Sequence, residues 1–288
     1  MKLLLLGSEG QLGSCLSEQF HNSDFEVVYS SRDTIDISDF ELTKKKITEA
    51  SPNVLINATA YTEVDKAEED KQRADLINHL AVANIANICC EIDCWFFHIS
   101  TDYVFDGTST RPYREDDKTN PQGVYGHTKL KGELAVQSSG CKHIIVRTAW
   151  IFSEYGKNFF KTMLRLGAEK RQLEVVRDQI GCPTYAQDIA RAIICIITHL
   201  DEKTHSGTYN FCGDECCSWY EFSKEIFHQA REANLNVPDT VSSIATLEYP
   251  TPAKRPAYSV LDTNKIHDHF GINPSDWRAG IKKILSSS

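Results

Sequence analysis

The stretch LLLLGSEGQLGS, residues 3–14, decides the fold. Four leucines run directly into a segment holding Gly7, Gly10 and Gly13. A short apolar run closed by glycine reads as a buried strand, and QLGSCLSEQF (11–20) carries helical spacing. Glycines between a first strand and a first helix have a specific use. Gly7 permits the tight turn, Gly10 lets a pyrophosphate approach the backbone, and Gly13 lets the helix pack close to the strand. The N-terminus of that helix then faces the anion with unpaired N–H groups. The spacing is G-x-x-G-x-x-G rather than G-x-G-x-x-G, but its place after the first strand makes dinucleotide binding the reading.

Working outward, FEVVYS (25–30), NVLINA (53–58), CWFFHIS (94–100) and HIIVRT (143–148) read as further strands. Helical patterns at 39–50, 70–91 and 123–138 separate them. Such alternation implies parallel strands joined by right-handed crossovers, hence an α/β fold with a Rossmann-type doubly wound parallel sheet. Beyond residue 150 the pattern loosens. Helices near 157–169, 185–199 and 218–233 are separated by loops, with NLNVPDT (234–240) and YPTPAKRPAYS (249–259) rich in proline. The expected layout is a Rossmann domain over 1–150 that also receives segments near 180–200 and 240–262. Residues 151–288 would form mainly a smaller C-terminal α/β substrate domain.

The chain has 288 residues, 41% hydrophobic and 25% charged, with a net charge of −9. That balance argues against a nucleic-acid or anionic-membrane surface, while an anionic small ligand needs only a local group of cations. MKLLLLGSEG is too short for a signal segment, and IARAIICIITHL is interrupted by Arg191 and His199. A soluble cytoplasmic protein is expected. None of the ten cysteines forms the paired C-x-x-C pattern of a structural zinc site, so reduced thiols and no metal are expected.

The carboxyl ends of the strands carry the candidate ligand positions. NAD sites usually place an acid at the end of the second strand. Here Ser30, Ser31 and Arg32 stand there, and hydroxyls with a guanidinium suit a 2′-phosphate. NADPH is therefore the expected cofactor, with NADH kept open by Asp33. Asp36 and Ile37 would lie beside the adenine, and Ala58, Thr59 and Ala60 would reach the cofactor after the third strand. Ser100, Thr101 and Asp102 close the fourth strand. Tyr125 precedes Lys129 by four residues, so both share one helix face. A cation there eases phenolate formation, and a tyrosine tuned that way can pass a proton to a carbonyl oxygen. The group reads as a hydride-transfer site. Tyr125 gives the proton, Thr101 orients the oxygen, and Lys129 holds the nicotinamide ribose and biases Tyr125 toward its active form.

Gly7-x-x-Gly10-Gln11-x-Gly13, ATAYTEVDKAE (58–68), STDYVFDG (100–107), PQGVYGHTKLKGE (121–133), RTAWIF (147–152), DQIGCPTYAQDIA (178–190) and TPAKRPAYSVLD (251–262) occur in an order that resembles the dTDP-4-dehydrorhamnose reductases. These belong to the extended short-chain dehydrogenase/reductase superfamily. The resemblance implies reduction of dTDP-4-dehydro-L-rhamnose, the last step of dTDP-L-rhamnose synthesis, with a product used in polysaccharides such as the O-antigen. It makes Gly10, Gln11, Leu12, Asp36, Ile37, Ala58, Thr59, Ala60, Tyr125 and Lys129 cofactor positions, and Thr101, Asp102 and Trp150 sugar-nucleotide positions. Tyr258, Ala149 and Glu63 depart from frequent family choices and bear on which sugar or nucleotide is used. The acids through which some members dimerise around magnesium have no match here, so no metal is expected and a homodimer stays open.

Lys254 and Arg255 sit in a loop stiffened by Pro250, Pro252 and Pro256, where Arg255 would meet the substrate diphosphate. Three rivals remain at this stage. A dehydratase would resemble Thr-Asp-Glu where this chain has Thr101-Asp102-Tyr103, and Arg32 argues against a tightly NAD-bound epimerase. The third resembles the regulatory β subunit of methionine adenosyltransferase, a non-catalytic binding partner.

Overall fold

The structure, a computed structural model, describes residues 1–21, 23–201 and 206–286. The first half comprises β1 (Lys2–Leu6), α1 (Gln11–Phe20), β2 (Glu26–Ser30), α2 (Phe40–Ala50), β3 (Val54–Asn57), α3 (Val64–Ala67), α4 (Lys71–Asp75), α5 (Ala81–Glu91), β4 (Trp95–Thr101), α6 (Val124–Ser138) and β5 (His143–Thr148). The rest comprises β6 (Ile151–Phe152), α7 (Phe159–Glu169), β7 (Gln172–Val176), β8 (Ile180–Gly181), β9 (Thr184–Tyr185), α8 (Ala186–Thr198), β10 (Gly207–Asn210), β11 (Cys217–Ser218), α9 (Trp219–Glu232), β12 (Thr240–Ile244), α10 (Asn264–Phe270) and α11 (Trp277–Ser286).

Six strands form one parallel sheet in the order β10-β5-β4-β3-β1-β2. The leucines of β1 explain why the run is continuous rather than alternating. Leu3 and Leu5 point into one apolar cluster with Leu12 and Leu16 of α1 and Ile189, Ile193 and Ile197 of α8. Leu4 and Leu6 point the other way, into a cluster with Leu55, Ile85 and Phe96. A strand covered on both faces needs apolar side chains at both parities. Each of these leucines is at most 1% exposed, and burying one contributes about 1.5–3 kcal/mol.

Two features were not expected from the sequence. The sheet gains a sixth strand, β10, paired with β5 from Gly207↔Ile144 to Asn210↔Arg147. The expected helix over 70–91 contains a π-helical turn at Leu76–Leu80, between α4 and α5. Of the two stretches expected to return to the sheet, α8 packs on α1. In the other, β12 pairs with β7, while Val260 and Leu261 pack with Val104, Phe105 and Tyr113. A third apolar cluster, built on Phe152, Phe160, Phe222, Tyr185 and Trp277, lies among the short sheets of the second half. The ten cysteines are free thiols. No helix among the described residues is long and apolar enough to cross a membrane.

Candidate active site

β1 has β2 on one side and β3 on the other, so the chain reverses its winding there. The loops that leave β1 and β3 part at that point and open a crevice at the carboxyl edge, where such sheets bind ligands. Gly7 has φ +79° and a Cβ on it would stand 2.8 Å from Thr59 Cγ2. On Gly13 a Cβ would stand 1.9 Å from the Gly7 carbonyl oxygen, so helix and turn can approach only without a side chain. Gly10 is different: it is exposed, and a Cβ on it would face open space apart from the Gly7 oxygen at 3.2 Å. The turn is clamped from β2, because the Ser30 carbonyl accepts from Gly7 N at 2.8 Å and Ser8 N at 3.0 Å. Among the described residues no side chain caps the N-terminus of α1. An exposed turn under an uncapped ten-residue helix is a fitting cradle for a pyrophosphate.

The flanking positions divide by what their side chains already do. Gln11 is held by Asn158, whose amide donates to Oε1 at 2.5 Å, and itself donates to the Ile151 carbonyl at 3.3 Å. Leu12 is buried in the core, so only its backbone N–H can face the cradle. The Ser30 hydroxyl is buried against Thr34 Oγ1 at 3.0 Å, and the Ser31 carbonyl accepts from Thr34 and Ile35. Arg32 is exposed, 3.6 Å from the Asp36 carboxylate. Asp36 is held below the usual carboxylate range, first by the Ser38 hydroxyl, then by the Ser38 N–H, with Arg32 adding to both. Ile37 is buried, Ala58 and Thr59 are half-buried, and Ala60 is exposed.

β4 delivers the next group. It runs one residue beyond the expected end, so Thr101 is its last residue, followed at once by a 3₁₀ turn over Asp102–Val104. The Thr101 hydroxyl donates to Asp102 Oδ1 at 3.0 Å, accepts from Tyr103 N at 3.2 Å, and reaches the Tyr125 phenol. Asp102 is 2% exposed and burial pushes its carboxyl up to about 6. The Ser259 hydroxyl offsets part of that rise, yet Oδ2 has no well-formed hydrogen bond among the described residues.

Tyr125 and Lys129 lie one turn apart at the start of α6. The helix sits close to its neighbours because Gly126 and Gly132 face carbonyls: a Cβ would meet the Tyr103 oxygen at 2.3 Å and the Asn78 oxygen at 2.2 Å. Asn78, in the π-helical turn, bonds both backbone groups of Tyr61 and the Thr128 hydroxyl. Lys129 is 2% exposed and donates to the Ile99 carbonyl at 2.5 Å, with its Nζ 3.3 Å from His98 Nε2. Burial lowers Lys129 to about 8, partly offset by Glu133. The expected easing of phenolate formation by Lys129 is not among the influences that set Tyr125 here. Burial pushes Tyr125 up to about 12, with Thr101 acting against the rise and Asp102 adding to it. Lys129 has turned its amine toward Ile99 and His98 instead.

Trp150 takes φ +46° and stacks on Trp219, with ring centroids 3.4 Å apart at 6°. Its other neighbour is Gly181, where a Cβ would stand 2.5 Å from the indole. Arg255 donates to both carboxylate oxygens of Asp65, at 3.0 and 2.7 Å, tying the proline-rich loop to α3. The pair lowers the Asp65 carboxyl.

The family model for the RmlD substrate binding domain matches residues 1–288. A dTDP-4-dehydrorhamnose reductase of Aggregatibacter actinomycetemcomitans is 43% identical over 98% of this chain and 98% of its own length. The chain belongs to the dTDP-4-dehydrorhamnose reductase family. Among solved members of that family, one from Clostridium acetobutylicum is 38% identical, with a TM-score of 0.92 over 100% of this chain and 99% of that one. Another, from Bacillus anthracis in complex with NADP, is 33% identical with the same TM-score and coverage. The Rossmann-type sheet and its parallel order agree with this membership.

Several site residues escaped the sequence reading. Glu133 is fully buried and binds Arg147 through Nε at 3.0 Å and Nη2 at 2.7 Å, and it accepts from the Ser100 hydroxyl. Tyr125, Lys129 and Glu133 follow one another at i, i+4 and i+8, so extending the stripe one turn would have found it. Asn57, Asn78 and His98 carry no such signal, because each acts through partners on other elements.

Proposed function

We propose that this chain reduces the 4-keto group of dTDP-4-dehydro-L-rhamnose to dTDP-L-rhamnose, with NADPH as donor and NADH as the weaker alternative. One observation carries the reading: Thr101 ends β4 and Tyr125 opens α6 on the same carboxyl edge of the sheet as the glycine cradle, with Tyr103, whose N–H donates to Thr101, set edge-on to the Tyr125 ring. When bound, the nicotinamide supplies a hydride to the ketone carbon. Gly7, Gly10, Gln11, Leu12 and Gly13 would hold the pyrophosphate at the N-terminus of α1. Ser30, Ser31 and Arg32 would serve the 2′-phosphate, Asp36 and Ile37 the adenine, and Ala58, Thr59 and Ala60 the adjoining ribose.

On the substrate side, Tyr125 holds its proton until a carbonyl oxygen needs it, because burial keeps the phenol neutral. Thr101 shares that oxygen and fixes its direction, and Lys129 holds the ribose. Asp102 and Trp150 would meet the sugar, and Arg255, shared with Asp65, the diphosphate. Residues 1–150, with α8 and β10 returning to them, would bind the cofactor, and most of 151–288 the sugar nucleotide. A cytoplasmic location suits a substrate of this kind. A homodimer stays open, and light scattering decides it.

The test is the fall in reduced-cofactor absorbance when dTDP-4-dehydro-L-rhamnose is added to protein and NADPH. Steady oxidation is expected. Tight NADPH binding without turnover on any dTDP keto-sugar would refute the enzyme and leave a binding subunit.

A further inference from the structure

Asn57 and His98 stand opposite each other on adjacent strands, Asn57 as the last residue of β3 and His98 in the middle of β4. Both are 0% exposed. Their side chains form a short line that ends on Lys129. Asn57 Nδ2 is 3.4 Å from His98 Nδ1, and His98 Nε2 is 3.3 Å from Lys129 Nζ.

The direction of hydrogen bonding along this line follows from its outer end. Thr59 N donates to Asn57 Oδ1 at 3.0 Å, and the Thr59 hydroxyl donates to the same oxygen at 2.5 Å. A backbone N–H can only donate, so that oxygen must face Thr59 and the amide nitrogen must face His98. The amide nitrogen can also only donate. His98 Nδ1 is therefore an acceptor, and the single proton of a neutral imidazole lies on Nε2. That N–H points at Lys129. An ammonium has three donors and no acceptor, whereas an amine has a lone pair. The amine satisfies the whole set: it accepts from His98 and still donates to the Ile99 carbonyl.

We propose that Asn57 locks His98 as the Nε2–H tautomer, and that this N–H stabilises Lys129 as a neutral amine. His98 and Asn57 are positioning residues, acting on the reaction through Lys129. The inference rests on the reductase reading only for its place in turnover. After Tyr125 gives its proton to the substrate oxygen, the phenolate becomes a phenol again when Lys129, in its ammonium form, gives up one proton. His98 makes that loss easier by holding the amine that results. Protons balance across the two steps: Lys129 loses one, the phenolate gains one, and a proton from water restores the ammonium.

Other charges around Lys129 do not set this direction. Glu133, on the same helix, favours the ammonium, but its carboxylate is engaged by Arg147 from β5 and Ser100 from β4. Tyr125 is neutral, and Asp102 bonds Thr101. Burial of His98 beside Lys129 keeps the imidazole well below its usual range, in agreement with a neutral ring.

The experiment uses the cofactor-free protein labelled with ¹⁵N-histidine, whose two ring nitrogens report the tautomer by NMR. His98→Gln assigns the signals. At neutral pH the wild type is expected to show Nε2 protonated and Nδ1 bare. Asn57→Asp keeps an acceptor for Thr59 but turns a carboxylate oxygen toward Nδ1, so His98 should switch to the Nδ1–H tautomer. The same variant should move the Lys129 limb of the kcat/KM pH profile upward by about 1–3 pH units. Two results overturn the proposal: an Nδ1–H signal in the wild type, or an unchanged tautomer in Asn57→Asp. A limb that shifts without a tautomer change also counts against it, since the added charge alone would do that. The NMR readout needs no substrate, so failure of the reductase reading shows up separately, as absent turnover with the predicted tautomer intact.

Discussion

Asp102→Asn should make the protein more stable at neutral pH, by an amount the burial of this carboxyl sets. In the unfolded chain the group titrates near 3.8, and in the fold near 6. Between those values the folded state binds a proton that the unfolded state has released, so stability falls as pH rises through this window. Below pH 4 both states are protonated and nothing is lost. Above pH 6 the full difference applies, and at 1.36 kcal/mol per pH unit it amounts to about 3 kcal/mol. Asparagine removes the titration, and its new N–H group lies toward the Ser259 hydroxyl, which can accept. At about 2.1 cal/mol/K per residue over this chain, the gain corresponds to a Tm rise of about 5 °C at pH 7.5. At pH 5 the gain should be about half as large in free energy. Denaturant unfolding and thermal melts of both proteins at the two pH values measure this. An Asp102→Asn protein that is less stable at pH 7.5, or equally shifted at both pH values, refutes the reasoning. Activity should fall while stability rises, because the carboxylate that Thr101 donates to is lost beside the proposed proton donor.

Tyr125→Phe keeps the ring against Tyr103 but removes the proton, so kcat should drop by about 10²–10⁴ with NADPH affinity spared; normal turnover would end the assignment. Arg32→Ala should weaken NADPH far more than NADH in binding titrations, and equal losses would reduce Arg32 to a loop charge. Arg255→Ala should raise KM for the sugar nucleotide and weaken plain dTDP as a competitive inhibitor, with the NADPH Kd unchanged. Asp65→Asn is its control: it loosens the loop but frees the cation, so identical effects from both would show that Arg255 only anchors the loop.

The glycine loop was legible because its constraints are local. Gly7 and Gly13 answer to a turn and to a helix lying a few residues away. The first five strands were legible because each is a compact apolar run. β10 was not, since it has four residues, two of them Thr208 and Asn210, and becomes a strand only by pairing with β5. The π-helical turn at Leu76–Leu80 has no periodicity of its own; it follows from where Asn78 must reach. In the site, the Tyr125/Lys129 spacing named the residues but not their protonation. The direction of both shifts comes from burial, which only the folded chain creates. Arg255 was legible as a cation in a stiff loop, while Asp65, 190 positions from it, could be paired with it only in three dimensions.

The late arrival of β10 and α8 has a consequence for how the chain is made. When residue 150 leaves the ribosome, five strands are present, but β5 still has a bare edge. The Leu3 and Leu5 face of β1 also still lacks the isoleucines of α8. Synthesis at about 5–20 residues per second leaves that surface uncovered for about 3–12 s, until residue 210 emerges. An open strand edge beside an apolar face invites pairing with another nascent chain. The interval is one in which a holding chaperone has something to hold. A gene fragment ending near residue 150 would make that vulnerable state permanent.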